Sequence, residues 1–489
     1  MRAPSIILVG LGAAILSACA SDQGLTPKAA LTDANQLAAH DTLAPAVKTT
    51  APWPNADWWR AFGDPQLDRL MDEALAGSPD LRLARARLDQ ARALAGLADA
   101  NRYPRVDANA DSVYQHFSEN DLVPPPLGGS SDSDNRLALD FSYELDFWGK
   151  NQATFEAAVG RTKAAEAEVQ QARLLIATAL ADHYIQLQRE FAQQDITESL
   201  LRQRRQLLDL TRQRVAAGLD SRVELEQAAA AIPAAEADLA AIRQNMDLTR
   251  HRLAALMGAG PDRGLAIARP QIGFDDALAL PTRLPAELIG RRPDVAAQRW
   301  RVEAAAREID VAKAGFYPNV DLLAFVGFGA IGLNDLLQGS SRIAGIGPAI
   351  SLPIFDAGRL RSRLSARDAD FDIAAEQYNA TLVDALRDVA DQLASRRALD
   401  IRLQHNRAAL ARFEESYRLA ELRYQQGLAN YLTVLIVEEQ VLGQRRQIAD
   451  LQASQRTVAV GLIRALGGGY RPATEPETTA GSVARPPAA

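Results

Sequence analysis

Two kinds of hydrophobic pattern alternate along the chain, and each occurs twice. From Leu137, the residues Leu137, Leu139, Phe141, Tyr143 and Leu145 alternate with Ala138, Asp140, Ser142 and Glu144. That is the period-two signature of a strand with one apolar face. The segment before it repeats the pattern less cleanly, with Val106, Ala108, Ala110 and Tyr114 on one side and Asp107, Asn109 and Asp111 on the other. In the second half the same reading falls on two further segments, the first of which carries Asp321, Gly327 and Gly329 at one parity. The strands are therefore expected at about 104–117, 136–147, 318–331 and 343–355.

Each strand pair is followed by a long stretch of helical periodicity. Asp146 to Gly218 contains no proline, and Ile176, Leu180, Tyr184, Leu187 and Phe191 recur at spacings of 3, 4 and 7, the seam of a coiled coil. Phe371, Tyr378, Leu382 and Leu386 mark a second such seam. The pattern predicts long helices over 149–217 and 358–426, each turning at Gly218 or Gly427 into a return helix over 221–258 or 430–466. At 1.5 Å per residue the long helices extend roughly 100 Å. Pro233 removes one backbone donor from the first return helix and is expected to bend it.

The recurrence is a tandem duplication. The run from Pro79 is echoed from Pro293, with Tyr103-Pro104 matched by Tyr317-Pro318, 214 positions later; the turn at Gly218 is echoed at Gly427, 209 positions later. A unit of this size is too long for a solenoid repeat. The domain plan is a first repeat over 55–260, a linker over 261–282 in an equatorial position, a second repeat over 283–468 and a flexible tail over 469–489.

Strands of about a dozen residues match or exceed the 9 to 11 that a tilted transmembrane strand needs. Two such hairpins cannot stand alone in lipid, because open edges leave backbone groups unpaired. Closure then requires several chains: two would give a nearly filled eight-stranded barrel, and three a twelve-stranded one with room for a passage. The alternative is a lipid-anchored periplasmic coiled-coil scaffold with no pore. Whether the four alternating segments sit in the membrane separates the two.

Composition adds a location. Of 489 residues, one is cysteine, which excludes a disulfide framework and a cysteine-rich metal site. Cys19 ends a signal-like segment over 1–18, with Arg2, an apolar run from Ile6 to Leu16, and small residues before the cysteine. Residues 19–54 are polar, Ala-rich and Pro-rich, and read as an extended tether. A formal charge of -7 argues against a nucleic-acid partner.

Catalytic chemistry is missing. His40, His116, His183, His251 and His405 lie far apart with no metal-ligand spacing, and there is no P-loop or nucleophile elbow. No enzyme, no metal and no cofactor are expected. The glycines of "GGGY" at Gly467 read as part of the flexible tail, and the arginines of "RQRRQLL" from Arg202 as a solvated helix face with Glu190, Glu198 and Asp209 as partners.

These features together, the small residues before Cys19, "WWRAFGDPQLDRLMDEAL", the "YP" boundary before a strand, "ELDFWGK", "LPIFDAGR" and two "R-x-x-x-G-L" tips, resemble the TolC-type outer-membrane efflux proteins. The closer likeness is to the lipoprotein branch that serves resistance-nodulation-division pumps. The resemblance implies a mainly α, mixed fold: a homotrimer whose twelve-stranded transmembrane β-barrel, four strands per chain, is continuous with a long periplasmic α-helical coiled-coil barrel. It implies an outer-membrane exit duct for drugs and toxic small molecules, with type I protein secretion and heavy-metal efflux as alternatives. The partners implied are an inner-membrane pump, a periplasmic membrane-fusion adaptor and outer-membrane lipid. Cys19 would carry covalent lipid, the only bound group expected. By position, the adaptor contacts would be Arg214, Gly218, Leu219, Ser221, Gly427, Leu428 and Asn430, together with Arg423. Glu224 would be locked to Arg423 and Tyr424. Leu432 and Ile436 would ring a periplasmic gate; relatives carry an aspartate where this chain has Ile436, and Glu438 and Glu439 are candidates to supply lumenal acid instead.

Overall fold

The structure, a computed structural model, describes residues 24–38, 53–120, 124–273 and 290–471. The signal-like segment, Cys19, about half of the tether, residues 274–289 and the tail beyond Arg471 lie outside the described residues. The rest forms two compact units, one holding 88–165 and 298–378 with the chain up to Leu31, the other 32–87, 166–297 and the chain from Asn379. The units are thus not the two repeats, since each draws residues from both halves.

Element order displays the duplication. Helix α1 (Pro65–Gly77) and α2 (Pro79–Ala100) precede β1 (Arg105–His116) and β2 (Ser131–Glu144), then α3 (Lys150–Ala216), α4 (Arg222–Leu256) and the short α5 (Pro261–Leu265). The second half runs α6 (Pro293–Ala314), β3 (Asn319–Ile331), β4 (Arg342–Ser351), α7 (Arg359–Gln425) and α8 (Tyr431–Ala465). α2 and α6 each have 22 residues, α3 and α7 each 67, α4 and α8 each 35. α4 continues as helix on both sides of Pro233.

In the first unit the four strands form one antiparallel sheet in the order β1-β2-β3-β4. β2 begins six residues before its hydrophobic alternation does. Its polar start, Ser131 to Asn135, pairs with Ser112 to His116, so the ladder's backbone bonds extend it where no apolar face is needed. The register aligns Val106 with Phe141, Leu139 with Val326, and Ala324 with Ile346, all on one apolar face. The opposite face carries Asp107, Asp111, Asp134, Arg136 and Asp140 on β1 and β2. Arg136 and Asp140 form an ion pair there, and Asn109 donates to the same carboxylate at 2.7 Å.

The described part of the N-terminal segment is docked, which corrects its reading as an extended tether there. In the first unit Leu25 packs against Ile309, Ala312 and Leu364, and the amides of Lys28 and Ala29 both donate to Asp372 at 2.8 Å. In the second unit Thr32 N–H donates to Asn379 at 2.8 Å, and Leu37 and Trp53 cover Leu386, Val389 and Leu462. Low hydrophobicity hid this segment because backbone amides and a few scattered leucines hold it.

The second unit's core gathers Trp58, Trp59, Phe62, Leu70 and Met71 around Leu180, Tyr184, Leu253 and Ile267. Asp64 ties it together. It caps α1 by accepting from Gln66 N–H at 2.9 Å, takes the Tyr184 hydroxyl at 2.6 Å, and takes Gln271 N–H at 2.7 Å. "GGGY" is not a free tail either. Gly467, Gly468 and Gly469 take left-handed φ values of 84°, 59° and 84°. A side chain on them would collide with the Arg291 carbonyl, with Leu174 and with the Asn55 backbone. Tyr470 packs on Ala167, Ala296 and Ala297.

Asp64→Ala removes a cap and two further bonds to one buried carboxylate, so it should destabilise the fold by about 2–4 kcal/mol. A urea midpoint shift of the helical signal, with tryptophan fluorescence moving in parallel, is the expected result.

Candidate functional site: the paired helical tips

The second unit contains two helical hairpins that end in the same way. α3 closes at Gly218 (φ 74°), with Leu219 N–H donating to Arg214 O at 2.9 Å; α7 closes at Gly427 (φ 75°), with Leu428 N–H donating to Arg423 O at 2.8 Å. This six-to-one bond with a left-handed glycine is a Schellman cap. Both return helices are capped at once. Ser221 accepts from Val223 N–H at 3.1 Å while Glu224 accepts from Ser221 N–H at 2.9 Å, a capping box, and Asn430 accepts from Thr433 N–H at 3.2 Å. Leu219 and Leu428 are left exposed at the turns.

A buried polar cluster joins the hairpins just behind the turns. Arg214 donates to Asp220 through Nε at 2.8 Å and Nη2 at 3.1 Å, and through Nη1 to the Tyr424 carbonyl at 2.9 Å. The Tyr424 hydroxyl donates to Asp220 at 2.7 Å and lies 3.0 Å from the Thr211 hydroxyl. The guanidinium also sits 4.5 Å over the Tyr424 ring. Around this cluster pack Leu207, Leu208, Ala228, Ala420, Tyr431 and Val434. The bonds from Arg214 hold the Asp220 carboxyl below its ordinary range, and burial pushes the Tyr424 phenol up to about 12. A depressed carboxylate stabilises the cluster above its ordinary pKa and loses that contribution only as pH falls through the depressed value. The cluster is therefore intact through the neutral range.

This geometry corrects the expected lock. Glu224 bonds to its own cap residue Ser221, which lowers its pKa, and not to Arg423 or Tyr424. Arg423 is exposed. Asp220 takes the role assigned to Glu224, and Arg214, expected at the surface, is buried and used internally. Asp220 and Thr211 escaped sequence reasoning because their common partner, Tyr424, lies more than 200 positions away.

Leu432 and Ile436 lie one turn apart on α8 and are 51% and 53% exposed. Glu438 does not join them at the surface: it is buried and accepts from Arg204 Nε at 3.0 Å, while the exposed Glu439 accepts from Arg204 Nη2 at 2.8 Å. Arg204 is therefore not part of a solvated face. Of the partners expected for that cluster, Glu190 is buried and bonded to Gln186 and Thr249, Glu198 pairs with Arg243, and Asp209 with Arg212. No group of metal-ligating side chains occurs among the described residues.

The model of the outer membrane efflux protein family matches residues 70–259 and 284–468, one stretch in each repeat. The chain belongs to the outer membrane efflux protein family. It is 39% identical over 358 residues to the fusaric acid resistance protein FusA of Burkholderia cepacia, covering 73% of this chain and 67% of that one. It is 33% identical over 440 residues to the multidrug resistance outer membrane protein MdtP of Escherichia coli O6:H1, covering 86% and 88%. Among solved structures it matches the outer membrane protein VceC of Vibrio cholerae with a TM-score of 0.80 and 40% identity, over 85% of this chain and all of that one.

Outer membrane efflux proteins are passive channels, not enzymes; they are trimers with a large periplasmic portion and work with an adaptor and an inner-membrane pump. Three copies of the four-stranded sheet supply twelve strands. In such a barrel the apolar face meets lipid and the face of Asp107, Asp111 and Asp140 meets the lumen. Five exposed aromatics, Tyr103, Phe147, Trp148, Tyr317 and Phe355, flank the strand ends to which the helices connect. Trp148 stacks on Tyr317 at 4.5 Å and donates to Pro318 O at 2.9 Å. They form an interfacial girdle at that end of the sheet.

Val326, opposite Leu139 on the apolar face, gives a direct test of the assignment. Val326→Arg should destabilise the folded barrel by about 2–4 kcal/mol near the bilayer midplane, and Asp111→Asn on the lumen face by less than about 0.5 kcal/mol. Urea titration of the protein refolded into lipid vesicles measures both.

Proposed function

We propose that this channel is an exit duct for small toxic organic compounds, delivered by a resistance-nodulation-division pump through an adaptor seated on the two tips, and that its resting tip is closed by an apolar ring. The observation that carries the reading is the pair Leu432 and Ile436, half exposed and one turn apart on α8 with no acid between them on that stripe. In a trimer the pair supplies six apolar side chains to one constriction, which closes by dewetting and not by bound cations. The names of two relatives, fusaric acid resistance and multidrug resistance, support small organic compounds over secreted proteins or metal ions.

The adaptor surface in this reading is the rim of the turns. Leu219 and Leu428 supply exposed apolar contact, Gly218 and Gly427 bring backbone to the surface, and Ser221 and Asn430 fix the helix starts. Arg214, Asp220 and Tyr424 form the latch behind them, and adaptor binding opens the tip by separating the hairpins that this latch joins.

Covalent lipid on Cys19 completes the reading. Gly24 is five residues from Cys19, which is about 17 Å of extended chain at most. Leu25 packs on the same cluster, Ile309, Ala312 and Leu364, as Phe316, which lies just before β3. That reach brings acyl chains to the membrane level of the aromatic girdle. Intact-protein mass spectrometry of the membrane-extracted chain should show a triacyl adduct that Cys19→Ala abolishes.

Single-channel recording in planar bilayers tests the duct and its gate. The wild-type trimer should be closed most of the time and insensitive to multivalent cations from the periplasmic side. Asp220→Asn should raise open probability several-fold, and Ile436→Asp should create cation block. A protein that never conducts, or an Ile436→Asp variant with unchanged conductance and no block, would refute the reading.

A further inference from the structure

About 15 Å along α3 from Arg214, a second polar contact joins the hairpins, and it differs in character. Arg204 spends its three nitrogens on α4 and α8 together: Nη1 donates to Ala231 O at 3.0 Å, Nε to Glu438 at 3.0 Å and Nη2 to Glu439 at 2.8 Å. The Arg204 and Glu438 side chains are only 7% and 4% exposed. Yet Glu438 is bonded through one oxygen alone; its Oε1 is buried with no hydrogen-bond partner. A buried carboxylate oxygen left unbonded is a desolvation loss of a kind folded proteins generally avoid.

The surroundings do not relieve it. Tyr417 and Glu421 of α7 and Tyr431 and Glu439 of its own helix face Glu438, and of these the two carboxylates repel it. α4 offers the Ala231 carbonyl to Arg204 and no charge to Glu438. A cavity of about 240 Å³ lies alongside, lined by Glu438, Tyr417, Leu200 and Leu442 and closed on one side by the Glu414–Arg445 ion pair. The side chain therefore has room to move, and neither Gln203 nor Arg445, which also line the cavity, bonds it in the closed arrangement; Arg445 is held by Glu414.

We propose that Glu438 is a positioning residue of the gate: the closed tips hold its carboxylate against α3 in a dry, half-bonded state, and separation of the hairpins releases it to water. This rests on the reading that hairpin separation opens the duct. Burial outweighs the attraction of Arg204 and raises the Glu438 pKa above its ordinary value. The closed state thus binds the proton more tightly than the open one. Its advantage is complete below the ordinary carboxylate range and is lost as pH rises through the raised value, so ionisation of Glu438 drives opening. Each unit of difference between the two states shifts the closed-to-open ratio about tenfold per chain.

The test is the open probability of the full trimer in planar bilayers between about pH 4 and pH 8. Wild-type channels should be most closed in acid and open more often as pH rises. Glu438→Gln keeps an acceptor for Arg204 and removes the charge, so it should be rarely open and nearly independent of pH. Glu438→Asp keeps the charge but draws it back by one methylene, so it should retain the dependence with a displaced midpoint. If Glu438→Gln opens more readily than wild type, the pair is a simple clamp and the inference fails. It fails equally if Glu438→Gln keeps the wild-type profile or, should that variant not assemble, if Glu438→Asp leaves the profile unmoved. A wild-type trimer that never gates sinks both this inference and the reading beneath it; one that gates independently of pH sinks this inference alone.

Discussion

A backbone amide in hydrocarbon has nothing to bond except another backbone, and the chain cannot meet that demand alone. Its sheet ends in two edges, β1 and β4, which pair with no further strand among the described residues. In lipid each unpaired group costs several kcal/mol, so four strands are stable there only when copies join β4 of one to β1 of the next. The need for several copies follows from that edge. So does the division of the two sheet faces, because closing the sheet fixes which face meets lipid and which meets water.

The helical hairpins obey a different rule. Within the apolar packing near the tips, buried polar groups also join one hairpin to the other: Arg214 with Asp220 and Tyr424, then Arg204 with Glu438. Apolar contact is tolerant of sliding, whereas a charged pair is satisfied in one geometry and loses little when both members reach water together. A joint made this way is well defined when closed and inexpensive to open. That combination suits a duct that must be shut at rest and must part without unfolding.

Much of the fold was legible because its long elements write periodic patterns. Leu137 to Leu145 announced β2, and the proline-free runs announced α3 and α7 to within a residue or two. The misses share a cause. Ser131 to Asn135 belongs to β2 through backbone pairing that polar side chains do not advertise. Residues 25–32 and Gly467 to Tyr470 looked loose because glycine, alanine and polar residues dominate them, although amide bonds and close backbone approach hold them in place. At the tip, the turn glycines were visible as local signals. The latch was not, since Asp220 meets Tyr424, and Arg204 meets Glu438, across more than 200 residues of chain. Local spacing assigned Arg204 to a solvated face, which is where an isolated helix would put it.

The equal lengths of the duplicated helices, 67 and 35 residues in both halves, have an evolutionary consequence. Inserting one heptad into a single hairpin would carry its turn about 10 Å past the other, leaving Tyr424 and Asp220 at different heights. The two halves can diverge freely in sequence, as they have, but neither can change its length by itself. A longer or shorter duct is reachable only through paired insertions or deletions of whole turns, so lineages of such channels should differ in length in matched steps while their sequences drift independently.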